Sequence, residues 1–256
     1  MAENNSEIQE LDESQFMRGQ LHGKQSALKK YSSLVIGNAS FLSLLKYELI
    51  VLLFGFIPGA LGLVLRKLFY PKLFSKIGKG VVFGRNVTIR CAENIAIGDN
   101  VVIDDDVVLD GRGAEQHGLV IGNNVVLNRG CVVQSKFGPL SIGDYSAIGA
   151  GSAIVAQGGV EIGRWVGIAG GCEVSGGLFE LVEQEDDTTP PFRRYTKGPV
   201  SIGDNTTLAY GAIVVDGVSV GKNCMIGPGC VVMSNMKDET VASLRPAVVL
   251  PRRKQA

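Results

Sequence analysis

Few side chains in this 256-residue chain can do chemistry, and their placement narrows what that chemistry is. There are two histidines, His22 and His117, and five cysteines. No Cys-x-x-Cys pair and no histidine-rich ligand spacing occurs, so no metal cofactor is expected. Cys131, Cys172, Cys224 and Cys230 recur among the small residues of a repeat and Cys91 stands alone, which reads as packing in a reducing compartment. Proton transfer remains. His117 lies in a short insertion, Ala114 to Gly118, and Glu180 opens an acidic run through Glu183, Glu185, Asp186 and Asp187 to Pro190-Pro191. An imidazole titrates near neutrality, and a carboxylate becomes a useful base when desolvation raises its pKa. His22, in a polar arm, reads as solvated surface.

What must position these groups is a repeat. From Ile97 to Met236 an aliphatic residue returns every six positions, as in Ile97, Ile103 and Leu109, or Ile202, Leu208 and Val214. The fifth position holds small or β-branched residues, among them Val101, Cys131, Ser146, Ser152, Thr206 and Ala212. Hexapeptide periodicity of this length marks an all-β solenoid, a parallel β-helix in which each short strand stacks on the one a full coil earlier. Glycine at the second position, as in Gly98, Gly149 and Gly203, is expected to serve the awkward backbone angles of the corners. A β-sandwich would instead alternate at period two. The insertions at 114–118 and 176–198 both leave after a third hexad. They therefore project from one edge of the prism, three coils and about 14 Å apart.

Around the solenoid, residues 1–76 divide into a polar arm and an apolar helical segment, the repeats occupy 77–236, and 237–256 is a tail. The arm, to about Lys30, is expected to be mobile or loosely helical. It lacks the order of basic start, apolar core and small-residue cleavage site of a secretory signal, so a cytoplasmic protein is expected. Leu49 to Leu65 carries no charge, but Pro58-Gly59 interrupts it, which predicts two short helices meeting at Pro58 rather than one spanning helix. Arg66, Lys67, Lys72, Lys76 and Lys79 follow as a cationic flank. Residues 41–74 thus suit either a peripheral contact with the inner face of a membrane or a cap on the first coil, and the two are compatible. Lys+Arg and Asp+Glu both total 25, and no basic stripe runs through the repeats, so nucleic acid is not an expected partner.

The hexads, the Ile-Gly-Asp-Asn corners at 97–100 and 202–205, the lead-in Ile57-Pro58-Gly59-Ala60-Leu61-Gly62 and the closing Arg245-Pro246-Ala247 resemble the hexapeptide-repeat, or left-handed β-helix, acyltransferases. The lead-in is similar to that of members associated with sugar and polysaccharide modification. The resemblance implies a left-handed coil, a homotrimer with active sites between subunits, and transfer of an acetyl group from acetyl-CoA to a hydroxyl or amine of a sugar or lipid-linked sugar. Ala209, Gly211, Ala212, Gly227, Pro228 and Gly229 would then wall the pantetheine arm, with Lys222 and Arg245 on the phosphates. Where relatives carry a catalytic histidine this chain has Leu178, after Ser175-Gly176-Gly177. A tryptophan that relatives often carry is likewise replaced in Thr206-Thr207-Leu208-Ala209. An active enzyme therefore needs another base, Glu180 or His117. The alternative is a trimer that kept the scaffold and lost catalysis. A zinc hydratase on the same fold needs three histidine ligands and is excluded by two.

Overall fold

The computed structural model describes residues 9–10, 26–37, 40–113, 118–181 and 192–244. The hexads form three parallel sheets of seven, eight and seven strands. In the first sheet Ile77, Ile97, Ile121, Ile142, Ile162, Ile202 and Val220 stack in register. The second stacks Phe83, Ile103, Leu127, Ile148, Ile168, Leu208, Ile226 and Ala242. The third stacks Ile89, Leu109, Val133, Ile154, Val174, Val214 and Val232. The chain is a left-handed parallel β-helix with N-terminal helices. These aliphatic columns are its core, and burying each side chain contributes about 1.5–3 kcal/mol.

The fifth positions also face the interior, and their polar members are bonded between coils. The Ser146 hydroxyl donates to the Gly163 carbonyl at 2.9 Å and accepts from the Val166 amide at 3.0 Å. Ser152 does the same with Ala169 and Cys172, and Thr206 with Gly221 and Cys224. The cysteines sharing this environment are buried and free. Burial pushes the Cys131 thiol up to about 12, so it stays a packing group rather than a thiolate nucleophile.

The corners correct one expectation. Left-handed backbone angles fall at the fourth hexad position, as at Asn100 (φ 56) and Asn205 (φ 57), two residues beyond the glycine. The second-position glycine is needed for close stacking instead: a Cβ on Gly149 would stand 2.3 Å from the carbonyl carbon of Ala169 in the next coil. The third-position acid completes the Ile-Gly-Asp-Asn corner. Asp99 accepts from the Lys79 amide at 2.6 Å, Asp204 from Arg164 at 2.9 Å and Asp238 from Lys222 at 2.9 Å, so each carboxylate satisfies a corner amide of the coil below.

Among the described residues three α-helices precede the solenoid: α1 (Ala27–Val35), α2 (Phe41–Phe54) and α3 (Gly59–Phe69). Pro58 is the N-cap of α3, where its missing amide costs nothing. Arg66, read above as part of a cationic surface flank, is buried at 3% exposure. Its guanidinium donates to the carbonyls of Phe83 (3.0 Å), Phe54 (3.1 Å) and Ile57 (2.8 Å), tying the end of α2 and the start of α3 to the first coil. Gly62 lets this happen, since a Cβ there would fall 1.8 Å from the Ile57 carbonyl oxygen.

Two boundaries also differ from expectation. The coil continues past Met236, which bridges Val220, to a strand Val241–Ala242 paired with Met225–Ile226. Met236 and Ala242 keep the six-residue spacing, with Asp238 third and Glu239 at the left-handed fourth position, while Lys237 hides the hexad by replacing the usual glycine. Within the arm expected to be mobile or loosely helical, Gln9–Glu10 is an edge strand against Tyr195–Thr196, covering what would otherwise be an open sheet edge.

Candidate functional site

The three edges of the prism differ in chemistry. The edge from the first sheet to the second carries the acid and asparagine corners, with Tyr145 and Trp165 stacked at 4.2 Å. Lys222 lies on this edge, 3.4 Å from Asp204.

The edge from the second sheet to the third thins to glycine and alanine in its middle coils and then carries the exposed Tyr210 and Pro228. It runs from Asn128-Arg129-Gly130 through Gly149-Ala150-Gly151 and Ala169-Gly170-Gly171 to Ala209-Tyr210-Gly211 and Gly227-Pro228-Gly229. The fourth-position glycines have positive φ, and a Cβ built on Gly151 or Gly171 meets nothing within 4 Å, so these corners face open space. Their amides are spent on stacking, as in Gly171 to Ala150 (2.9 Å) and Gly229 to Tyr210 (2.9 Å). The third-position amides are not. On the first edge an Asp or Asn side chain of the next coil accepts those of Lys79, Asp99, Asn123, Arg164 and Lys222, whereas those of Asp144 and Asp204 there, and of Ala150, Gly170 and Tyr210 here, have no acceptor among the described residues. The result is a track of backbone donors. Of the residues picked from sequence, Ala209, Gly211, Gly227, Pro228 and Gly229 belong to this track. Ala212 is fully buried, so only its backbone can contribute. Ala150 and Gly170 were missed, although a small third residue where other corners carry Asp, Asn or Arg is a legible signal.

The edge from the third sheet to the first carries the insertions. They leave from strands Val108–Asp110 and Glu173–Ser175, three strands apart in the sheet order. Each root involves a buried carboxylate that sequence reading passed over. Asp110, 2% exposed, pairs with Arg112 at 2.8 Å and accepts from Gln134 at 3.2 Å. Asp216, 4% exposed, accepts from the Thr196 hydroxyl at 2.8 Å and from the Lys197 amide. It thereby fixes the return of the longer insertion, which is an antiparallel hairpin of Leu178–Leu181 with Phe192–Thr196. The available signal was an acid, Asp216, at the position that holds Ala156 and Gly176 in earlier coils, and another, Asp110, at the position that holds Gln134, Val155 and Ser175 in later ones.

Glu180 lies opposite Arg193 in that hairpin, and Leu178 opposite Tyr195. His117 and Arg245 lie outside the described residues. Within one copy, therefore, the donor track and the Glu180 hairpin stand on different edges, and Lys222 on the third. Among the described residues no group of three metal-ligating side chains is present.

Residues 199–234 match a family model described as bacterial transferase hexapeptide (six repeats), and residues 139–175 one described as hexapeptide repeat of succinyl-transferase. No curated protein matches the chain. Among solved structures it is similar to AntD, an N-acyltransferase from Bacillus cereus in complex with dTDP and 3-hydroxybutyryl-CoA. The identity is 18%, covering 73% of this chain and 84% of that one, with a TM-score of 0.51, a likeness of fold. A maltose O-acetyltransferase from Clostridium difficile 630 is 20% identical over 93% of this chain and 96% of that one, with a TM-score of 0.38.

Proposed function

From a chain that carries the hexapeptide repeats of the bacterial transferases, we propose a CoA-dependent acyltransferase that acts on a hydroxyl or amine of a sugar or polysaccharide precursor. Acetyl is the acyl group proposed, and acetyl-CoA the donor. The observation that carries this is the track of unpaired amides at Ala150, Gly170 and Tyr210, lined by glycines with open space before them. A pantetheine arm is a slender chain whose amide carbonyls need donors spaced along an open surface, here one of glycines flanked by the exposed Tyr210. The fold shared with AntD, a protein that holds 3-hydroxybutyryl-CoA, supports the same class of donor.

The separation of edges supports a trimer with shared sites. The donor track of one copy and the Glu180 hairpin of the next meet only if two copies lie side by side, and Lys222 reaches CoA phosphates under the same condition. Arg245 is proposed for the phosphates as well. In the reaction, the acceptor oxygen or nitrogen attacks the thioester carbonyl and gives its proton to Glu180. The C–S bond then breaks, and CoA leaves as a thiolate that takes up a proton. His117 is the second candidate base. We propose that this takes place in the cytoplasm, on the inner face of the membrane.

A second function, a trimeric scaffold without catalysis, is favoured by one specific observation, leucine at position 178 of the hairpin strand. An assay of free CoA thiol separates the two. Protein mixed with acetyl-CoA and a panel of amino sugars, hydroxy sugars and nucleotide-linked sugars is expected to release CoA only when an acceptor is present. Binding of CoA without release for any acceptor would identify the scaffold.

A further inference from the structure

Helices α2 and α3 bury one side and leave the other bare. On α2 the inward residues are Leu44 and Ile50, while Leu42 (75% exposed), Leu45, Leu49 and Leu52 (73%) follow one another at helical spacing on the outside, and Phe56 (63%) is exposed just past its end. On α3 Gly62 and Arg66 turn inward, and Leu61 (65%), Val64 and Leu68 (60%) turn out. A contiguous apolar surface of this kind on a folded protein marks a place where something docks.

Charge decides between the two occupants of such a face. The whole chain is neutral, with 25 basic and 25 acidic residues. Residues 41–90, however, hold eight cations (Lys46, Arg66, Lys67, Lys72, Lys76, Lys79, Arg85 and Arg90) against one acid, Glu48. That acid accepts a hydrogen bond from the Tyr31 hydroxyl at 2.7 Å. Arg66 is buried, and Arg85 and Arg90 face Asp105 (3.9 Å) and Asp110 (3.7 Å), which leaves the exposed Lys46, Lys67, Lys72, Lys76 and Lys79 as the charge of this face. A second copy laid on this face would bring like charge onto like charge. An anionic lipid surface meets the apolar face with its acyl region and the lysines with its headgroups.

We propose that α2 and α3 dock on an anionic bilayer, lying in its interface. At 1.5 Å per residue the 14-residue α2 is about 21 Å long, short of the ~30 Å needed to span. Among the described residues no helix is long and apolar enough to cross a membrane. Because the helices are fixed to the first coil through Arg66 and through Tyr47, whose hydroxyl donates to the Ile89 carbonyl at 2.7 Å, docking holds that end of the solenoid against the lipid. This gives the proposed membrane location its lipid class and its contact residues, and it is independent of acyl transfer.

The test is flotation of the full chain with vesicles of phosphatidylcholine alone and of phosphatidylcholine with phosphatidylserine. The chain is expected to float with the anionic vesicles and to do so less as salt rises. Leu49→Glu with Leu52→Glu, at exposed positions, is expected to abolish flotation while the melting temperature stays within a few degrees. Replacing Lys67 and Lys72 by Gln is expected to weaken partitioning about fivefold per lysine. Equal partitioning of wild type and the Leu→Glu variant overturns the proposal, as does absence of flotation with anionic vesicles. If wild type does not float and the Leu→Glu variant falls to a smaller assembly, the face is a contact between copies. CoA binding, measured on the same samples without lipid, reads the catalytic proposal separately.

Discussion

Arg66→Met is expected to lower the unfolding free energy by about 3–5 kcal/mol, the largest single loss from any position in the helical segment. Three backbone carbonyls, of Phe83, Phe54 and Ile57, lose their donor at once. Hydrogen bonds from a charged donor contribute about 1.5–3 kcal/mol each, and relief of the buried cation's desolvation offsets part of the sum. Lysine does not rescue the site, because one ammonium cannot reproduce the planar fork that reaches carbonyls on α2, on the turn before α3 and on the first coil. Lys67→Ala, one residue away and exposed, is the control and is expected to change stability by less than about 0.5 kcal/mol. Urea unfolding followed by circular dichroism measures both. A loss below about 1 kcal/mol for Arg66→Met would show that the helices are held by their apolar contacts alone.

The largest effect on activity is expected at Glu180. Glu180→Gln keeps the size and the hairpin register opposite Arg193 but removes the proton acceptor. General-base catalysis contributes about 10²–10⁴-fold, so kcat is expected to fall by that factor. The affinity for CoA is expected to hold, since the donor track lies on another edge. Loss of activity with an unchanged melting temperature and unchanged CoA affinity is the signature of a base, whereas a structural defect of the hairpin would lower the melting temperature as well. Unchanged kcat would remove Glu180 and leave His117 to be tested by the same substitution.

Much of this was legible in the sequence for a simple reason: one coil buries three aliphatic side chains at fixed spacing, so Ile97, Ile103 and Leu109 declare the architecture by themselves. The corners were legible only in part. Glycine is required both where φ is positive and where two backbones nearly touch, and composition does not separate Gly151 from Gly149, although only the first has a left-handed φ. The last hexad was hidden because Lys237 stands where a glycine usually marks it. Arg66 looked like one cation among several. Its burial depends on carbonyls from 9 to 17 residues away and on the bare backbone of Gly62, a three-dimensional coincidence that no periodicity encodes. The free amides of Ala150, Gly170 and Tyr210 left a trace in the sequence, since the third residues of the coils that follow, Gly170, Tyr210 and Pro228, carry no side-chain acceptor of the Asp or Asn kind, but reading it requires knowing which corners stack.

The central claim is that those amides and the glycines beside them bind CoA. It is tested most directly by the melting temperature of the purified chain with CoA and with acetyl-CoA, which needs no knowledge of the acceptor. Ligand at 100 times its Kd is expected to add about 2.7 kcal/mol, a rise of several degrees for a chain of this size. Ala150→Pro or Gly170→Pro, which removes one donor, is expected to shrink that rise. No rise with either ligand, confirmed by calorimetric titration into the millimolar range, would contradict the donor site and leave the scaffold as the function of this fold.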